Sequence, residues 1–139
     1  MSENAKHKHL ALVHSTINRF SNNGFQIKGW TVTLIAAILA LVVNNDSTPV
    51  QKGQMVLIAF MVVILFWLLD GYFLWQERMF RELYKNVATR KNSEIDFQMN
   101  ISSYNTGHNT WASSVVSKVL LIFYLTLLIV MSVVSLVIT

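Results

Sequence analysis

The stretch FWLLDGYFLWQERMFRELY, residues 66–84, decides the architecture. It closes an apolar run that begins at Met55 and turns, just past Trp75, into a charged helical pattern. Glu77 with Arg81, and Arg78 with Glu82, are opposite charges four residues apart, the spacing that brings side chains together on a solvated helix face. Phe73, Phe80, Leu83 and Val87 carry an apolar stripe along the same helix. One helix is therefore expected to leave a membrane and continue without a break to about Ala88–Lys91. Asp70 is the anomaly, a carboxylate inside the apolar part.

The surrounding chain supports a membrane setting. Hydrophobic residues make up 53% of the 139 and charged residues 13%, the latter about half the usual share in a soluble domain. The mean hydropathy is +0.45. A span needs about 20 mostly apolar residues, and three segments qualify: 25–43, 55–75 and 115–139. The first follows a polar segment and has no small-residue cleavage site behind it, so it reads as a retained span rather than a signal peptide. Residues 44–54 form a polar turn holding the only proline, Pro49.

Lysine and arginine set the direction. Lys6, Lys8, Arg19, Lys28, Arg78, Arg81, Lys85, Arg90, Lys91 and Lys118 lie on one side of this arrangement, and Lys52 alone on the other. The positive-inside rule puts residues 1–24 and 76–114 in the cytoplasm, with the turn and the C-terminus outside. In a bacterium that is a multi-pass protein of the inner membrane with a periplasmic C-terminus. Trp30, Trp75 and Trp111 then fall near the cytoplasmic ends of their spans, as an interfacial belt would have them, while Trp67 lies deeper.

Residues 1–24 carry Leu10, Val13, Ile17 and Phe20 at helical spacing, an amphipathic pattern suited to a membrane face, to neighbouring helices or to a sensing role. Ser21, Asn22, Asn23 and Gly24 are expected to break or bend that helix before the first span. Within 76–114 the period changes, and Ile95, Phe97, Met99 and Ile101 alternate with polar residues as in a half-buried strand. A lone strand is unstable, so it must pair with another copy, pair with another chain, or lie extended over the helices.

An ionisable group inside a span costs roughly 2.5–3.5 kcal/mol on insertion scales and normally faces a partner in the bundle. Asp70 lies five residues before Trp75, about 7–8 Å deep at helical rise. Lys118 lies seven residues after Trp111, about 10 Å deep. These two are expected to meet, within or between subunits, with Lys28 as the substitute partner. The pair serves to brace the spans or to gate a conduit. Gly71 beside Asp70 allows a close helix approach.

On a helical wheel Ser114, Ser117, Leu121, Tyr124, Leu128, Ser132, Ser135 and Thr139 fall within an arc of about 80°. Helix packing through hydroxyls explains such a stripe; so does a weakly polar pore wall built from several copies, lined by Ser117, Tyr124, Ser132 and Ser135. Any conduit would need a symmetric ring of subunits.

Catalytic signatures are missing. There is no cysteine, phosphate loop, zinc-protease helix or nucleophile elbow, and no carboxylate pair placed for acid–base work. His7, His9 and His14 read as a solvated cluster rather than metal ligands. The expectation is a protein that is not an enzyme and holds no cofactor. Arg19, Arg78, Arg81 and Lys85 are the basic residues available for phosphates, although anionic lipid headgroups account for the charge equally well.

The blocks INRFSNNGFQIKGWTVTL and FWLLDGYFLWQERMFRELY, with Asn18-Arg19, Lys28-Gly29-Trp30, Asp70, Tyr72 and Glu77-Arg78, resemble small bacterial inner-membrane proteins. The resemblance covers roughly residues 8–100 and is weaker in the third span. Such proteins look like the small transmembrane effectors of anti-phage loci, among them the membrane effector type of the Hailong system. The resemblance implies a non-enzymatic effector that depolarises the membrane when triggered by an oligonucleotide or nucleotide made by a partner enzyme. The expected fold class is thus an all-α membrane protein, with three transmembrane helices and amphipathic cytoplasmic extensions in a homo-oligomeric bundle, taken as a tetramer. The rivals are a non-conducting anchor that recruits a soluble partner through 94–101, and an accessory subunit of a transporter.

Overall fold

The computed structural model describes residues 2–44, 46–107 and 109–138, the side chains of Ser2, Glu3 and Asn92 excepted. Asn45 and His108, in the expected turn and loop, and Thr139, at the end of the expected stripe, lie outside the described residues. The described chain is all helical and has no strand. Helix α1 runs Ser2–Asn44, α2 Pro49–Thr89, α3 Trp111–Val115 and α4 Lys118–Ile138. Three of these, α1, α2 and α4, are long and apolar enough to cross a membrane.

Length separates them. At 1.5 Å per residue the 43 residues of α1 and the 41 of α2 make rods of about 60–65 Å, twice a hydrocarbon core of about 30 Å. The 21 residues of α4 make about 31 Å, one crossing. Helices α1 and α2 therefore share a span-level half and a more polar stalk.

The turn before α2 is built by its cap. Thr48 Oγ1 accepts from the Gln51 amide at 3.3 Å, Gln51 Oε1 accepts from the Thr48 amide at 3.1 Å, and Pro49 opens the helix. Two amides that lack helical partners are thereby satisfied, and the proline ring has its φ already set.

Helix α2 is the hub, packing along α1 and against both α3 and α4, whereas α1 and α4 barely touch. At span level Ile35, Ala59, Val63, Leu120, Tyr124 and Met131 form one buried cluster. In the stalk Val13 and Ile17 of α1 meet Phe80, Leu83 and Val87 of α2, the two stripes visible in the sequence. Around these cores much apolar surface remains exposed, including Leu41, Leu57, Leu65, Ile129, Leu136 and Val137. Such surface suits lipid or further protein, not water.

Three expectations are corrected. Ser21–Gly24 does not break α1, which is continuous. A Cβ at Gly24 would lie 3.1 Å from Asp70 Oδ1, so this glycine serves close approach between α1 and α2. The 94–101 segment is not a strand: two single-turn 3₁₀ helices, Asn92–Glu94 and Ser102–Tyr104, bracket an irregular strap. Ile95, Met99, Ile101 and Tyr104 pack on the stalk core, and Phe97, with φ +55°, turns away from it and is exposed. The alternation fails because Phe97 leaves the common face. Finally, the third apolar segment is not one unbroken helix from Val115. The helix is interrupted at Val116–Ser117 and resumes at Lys118.

Candidate functional site

Asp70 is 1% exposed in the middle of α2. Its Oδ2 lies 2.6 Å from Lys28 Nζ of α1 and accepts from the Tyr124 hydroxyl of α4 at 2.9 Å. All three long helices thus converge on one carboxylate. Tyr124 is fully buried, and its ring stacks on Trp67 of α2 at 5.8 Å between centroids and 7° between planes. Lys28 also lies 6.0 Å from the Phe123 ring centroid, a cation–π distance. Thr31 adjoins the Tyr124 hydroxyl and donates its own to the Ile27 carbonyl at 2.6 Å.

Within the chain the partner of Asp70 is therefore Lys28, one of the two lysines the sequence offered, and not Lys118. Lys118 is exposed. The depth count from Trp111 assumed one uninterrupted helix, and the interruption at Val116–Ser117 resets both rise and rotation between the two residues.

That interruption is held from α2. A helix end leaves carbonyls without partners, and the Trp67 indole N–H reaches one, donating to Val115 O at 2.9 Å. Trp111 donates to Leu68 O at 3.2 Å and Trp75 to Asn109 O at 2.8 Å. A Cβ on Gly71 would collide with Val115, so α3 can rest on α2 only where glycine stands. These tryptophans lace the third helix to the second, a role that belt position alone did not disclose.

Beside the triad an open cavity of about 570 Å³ is lined by Lys28, Asp70, Glu77, Arg78, Ser117 and Lys118, with Phe20, Phe25, Leu74 and Val119 among its apolar walls. Beyond Asp70, toward the opposite end of the spans, the interior is filled by the apolar cluster around Ala59, Val63 and Met131.

The expected pore-lining residues separate. Tyr124 is turned into its own bundle by Asp70, which corrects its assignment to a conduit wall. Ser117 borders the cavity, Ser132 is exposed and donates to Leu128 O at 2.8 Å, and Ser135 is half-buried. An arc of 80° straddles the edge of the α2 contact, so its members divide between interior and surface.

Among the basic residues, Arg78, Arg81 and Lys85 line one stalk hollow of about 680 Å³ with His14, Asn18 and Tyr84. Arg19 borders a neighbouring hollow that shares His14 and Asn18. Arg81 is bonded to Glu77 at 2.6 Å and Lys85 to Glu82 at 3.4 Å. His9, expected in a solvated cluster, is fully buried, with Nε2 3.0 Å from the Gln98 carbonyl and its ring 5.6 Å from that of Phe97. It pins the strap to α1.

No family model matches the chain, and no curated protein or solved structure matches it either. Its class rests on its own features, a bundle with three helices that fit a multi-pass membrane protein.

Proposed function

We propose that the chain is the protomer of a homo-oligomeric, ion-conducting pore of the bacterial inner membrane, opened from the cytoplasmic side. The carrying observation is the Lys28–Asp70–Tyr124 triad at the floor of a charged cavity. Burying a charge pair among spans is costly and adds less stability than apolar packing would, so a pair that joins three helices beneath an open polar space is better suited to a latch than to a simple brace. Closed, it holds α4 against α2; broken, it frees α4, whose α1-facing side is scarcely packed. Ions pass between protomers, along the faces carrying Ser132 and Ser135, because the interior of each protomer is sealed by apolar side chains.

In this orientation the N-terminus, stalk and strap are cytoplasmic and the C-terminus periplasmic, following the ten-to-one distribution of basic residues across the spans. The stalk hollow of Arg78, Arg81 and Lys85 is the place for an anionic trigger, and the sequence blocks that resemble anti-phage effectors supply the setting, defence by depolarisation. The anchor reading loses its main support, since the apolar residues of 94–101 other than Phe97 are spent on the chain's own stalk.

Potassium efflux from vesicles reconstituted with purified protein tests this. Asp70→Asn, which breaks the latch, should raise efflux several-fold over the wild type, and Ser132→Leu added to it should lower efflux again. Folded, oligomeric Asp70→Asn protein that leaves vesicles tight would overturn the pore.

A further inference from the structure

We propose that the cavity at the start of α4 is a binding site for one anionic phospholipid, its phosphate held by Lys118, Ser117 and the first amides of α4, and its acyl chain lying along α4. This rests on the chain being a membrane protein and not on its conducting ions.

The cavity carries positive charge beyond the triad. Lys28 is neutralised by Asp70 and Glu77 by Arg81. Lys118 remains on the wall, paired with no carboxylate among the described residues. Because the chain is interrupted at Val116–Ser117, α4 opens here as a new 21-residue helix. Its first amides have no intrahelical acceptor, and its dipole presents a positive end.

A capping serine would ordinarily turn its hydroxyl onto those amides. Ser117 does not: its Oγ is buried and has no hydrogen-bond partner among the described residues, and the same holds for fully buried Ser114. A buried hydroxyl without a partner costs roughly 1–3 kcal/mol. A phosphate oxygen would satisfy the Ser117 donor and the helix start together.

Phosphate chemistry alone admits a free anion; the groove below argues for a lipid. From Val119, which it shares with the cavity, an apolar groove of about 440 Å³ passes Ile122, Phe123, Thr126 and Leu127. It falls on one helix face and runs about 12 Å toward the middle of the span. A headgroup site at the end of a span, continued by a hydrocarbon-lined groove of the same helix, fits a phosphodiester with an attached chain.

Native mass spectrometry of protein released from phosphatidylcholine nanodiscs, with and without added phosphatidylglycerol, tests the site. The wild type should retain one phosphatidylglycerol per chain in preference to phosphatidylcholine. Lys118→Ala should weaken that retention about tenfold, with Ser117→Ala acting in the same direction, while Lys91→Ala on the exposed stalk end leaves it unchanged. Equal retention of the two lipids would overturn the proposal, as would equal losses in Lys118→Ala and Lys91→Ala. Thermal stabilisation of detergent-solubilised protein by inorganic phosphate, matching that by phosphatidylglycerol, would also overturn it by showing a site for the free anion.

Discussion

Replacing Asp70 by Asn, Lys28 by Met, and both together measures the triad directly. Removing one member of a buried ion pair costs about 3–5 kcal/mol. The two losses should differ, because Lys28 keeps 21% side-chain exposure at the cavity while Asp70 keeps 2%. A lysine left without its carboxylate can turn its ammonium toward the cavity; an aspartate left without its lysine cannot reach water. Asp70→Asn should therefore cost about 3 kcal/mol and Lys28→Met about 4, with the double variant near 4 rather than 7. That is a coupling of about 3 kcal/mol. Reversible unfolding in mixed micelles, followed by tryptophan fluorescence, reads all four corners of the cycle. Lys118→Met should stay within about 0.5 kcal/mol of the wild type. Additive losses at 28 and 70, or a coupling to 118 as large as that to 28, would refute the placement of the pair.

Tyr124→Phe keeps the stacking on Trp67 and removes one hydrogen bond to a carboxylate, so the same unfolding assay should show a loss of about 1.5–3 kcal/mol; an unchanged midpoint would remove Tyr124 from the triad. Gly71→Ala must displace Val115 and should cost about 1–3 kcal/mol, whereas Gly29→Ala, with open space around it, should be neutral or stabilise by up to about 1 kcal/mol. In the strap, the Gln98 amide donates to Asp96 Oδ1 at 3.1 Å. This bond, with lesser help from nearby Arg90, outweighs desolvation and holds the Asp96 carboxyl below its usual pKa. The tie thus contributes above the pKa of an unfolded aspartate and is lost as pH falls through the lower folded value. The Gln98 amide resonance should titrate with a midpoint below that of an ordinary aspartate, and a midpoint at or above it would contradict the bond.

The three long apolar helices were legible because length and hydropathy act over twenty residues at once, and the stalk because its two stripes match at helical spacing. Asp70 announced its need of a partner, yet the choice between two lysines turned on the interruption at Val116–Ser117. Neither proline nor glycine marks that place. It is made by tertiary contacts, the Trp67 indole on Val115 O and the close approach at Gly71. The reverse error occurred at Ser21–Gly24, where weak helix formers suggested a break and packing against α2 kept the rod whole. The strap shows a third limit: its alternating pattern suggested a strand, but the segment forms none, and Phe97 at positive φ does not join Ile95, Met99 and Ile101 on the stalk core. The cavity at the start of α4 was invisible because the Ser117 hydroxyl becomes notable only once its partners are counted in space.

Continuity of α1 has a mechanical side. A rod of about 65 Å without a joint transmits tilt along its whole length, and swinging it by about 5° about one end carries the other through roughly 5–6 Å. Displacing the strap from the stalk therefore need not unwind anything in order to be felt at the far ends of the spans. Helix α4 reaches that lever mainly through α2, by its packing and by the Tyr124 hydroxyl on Asp70.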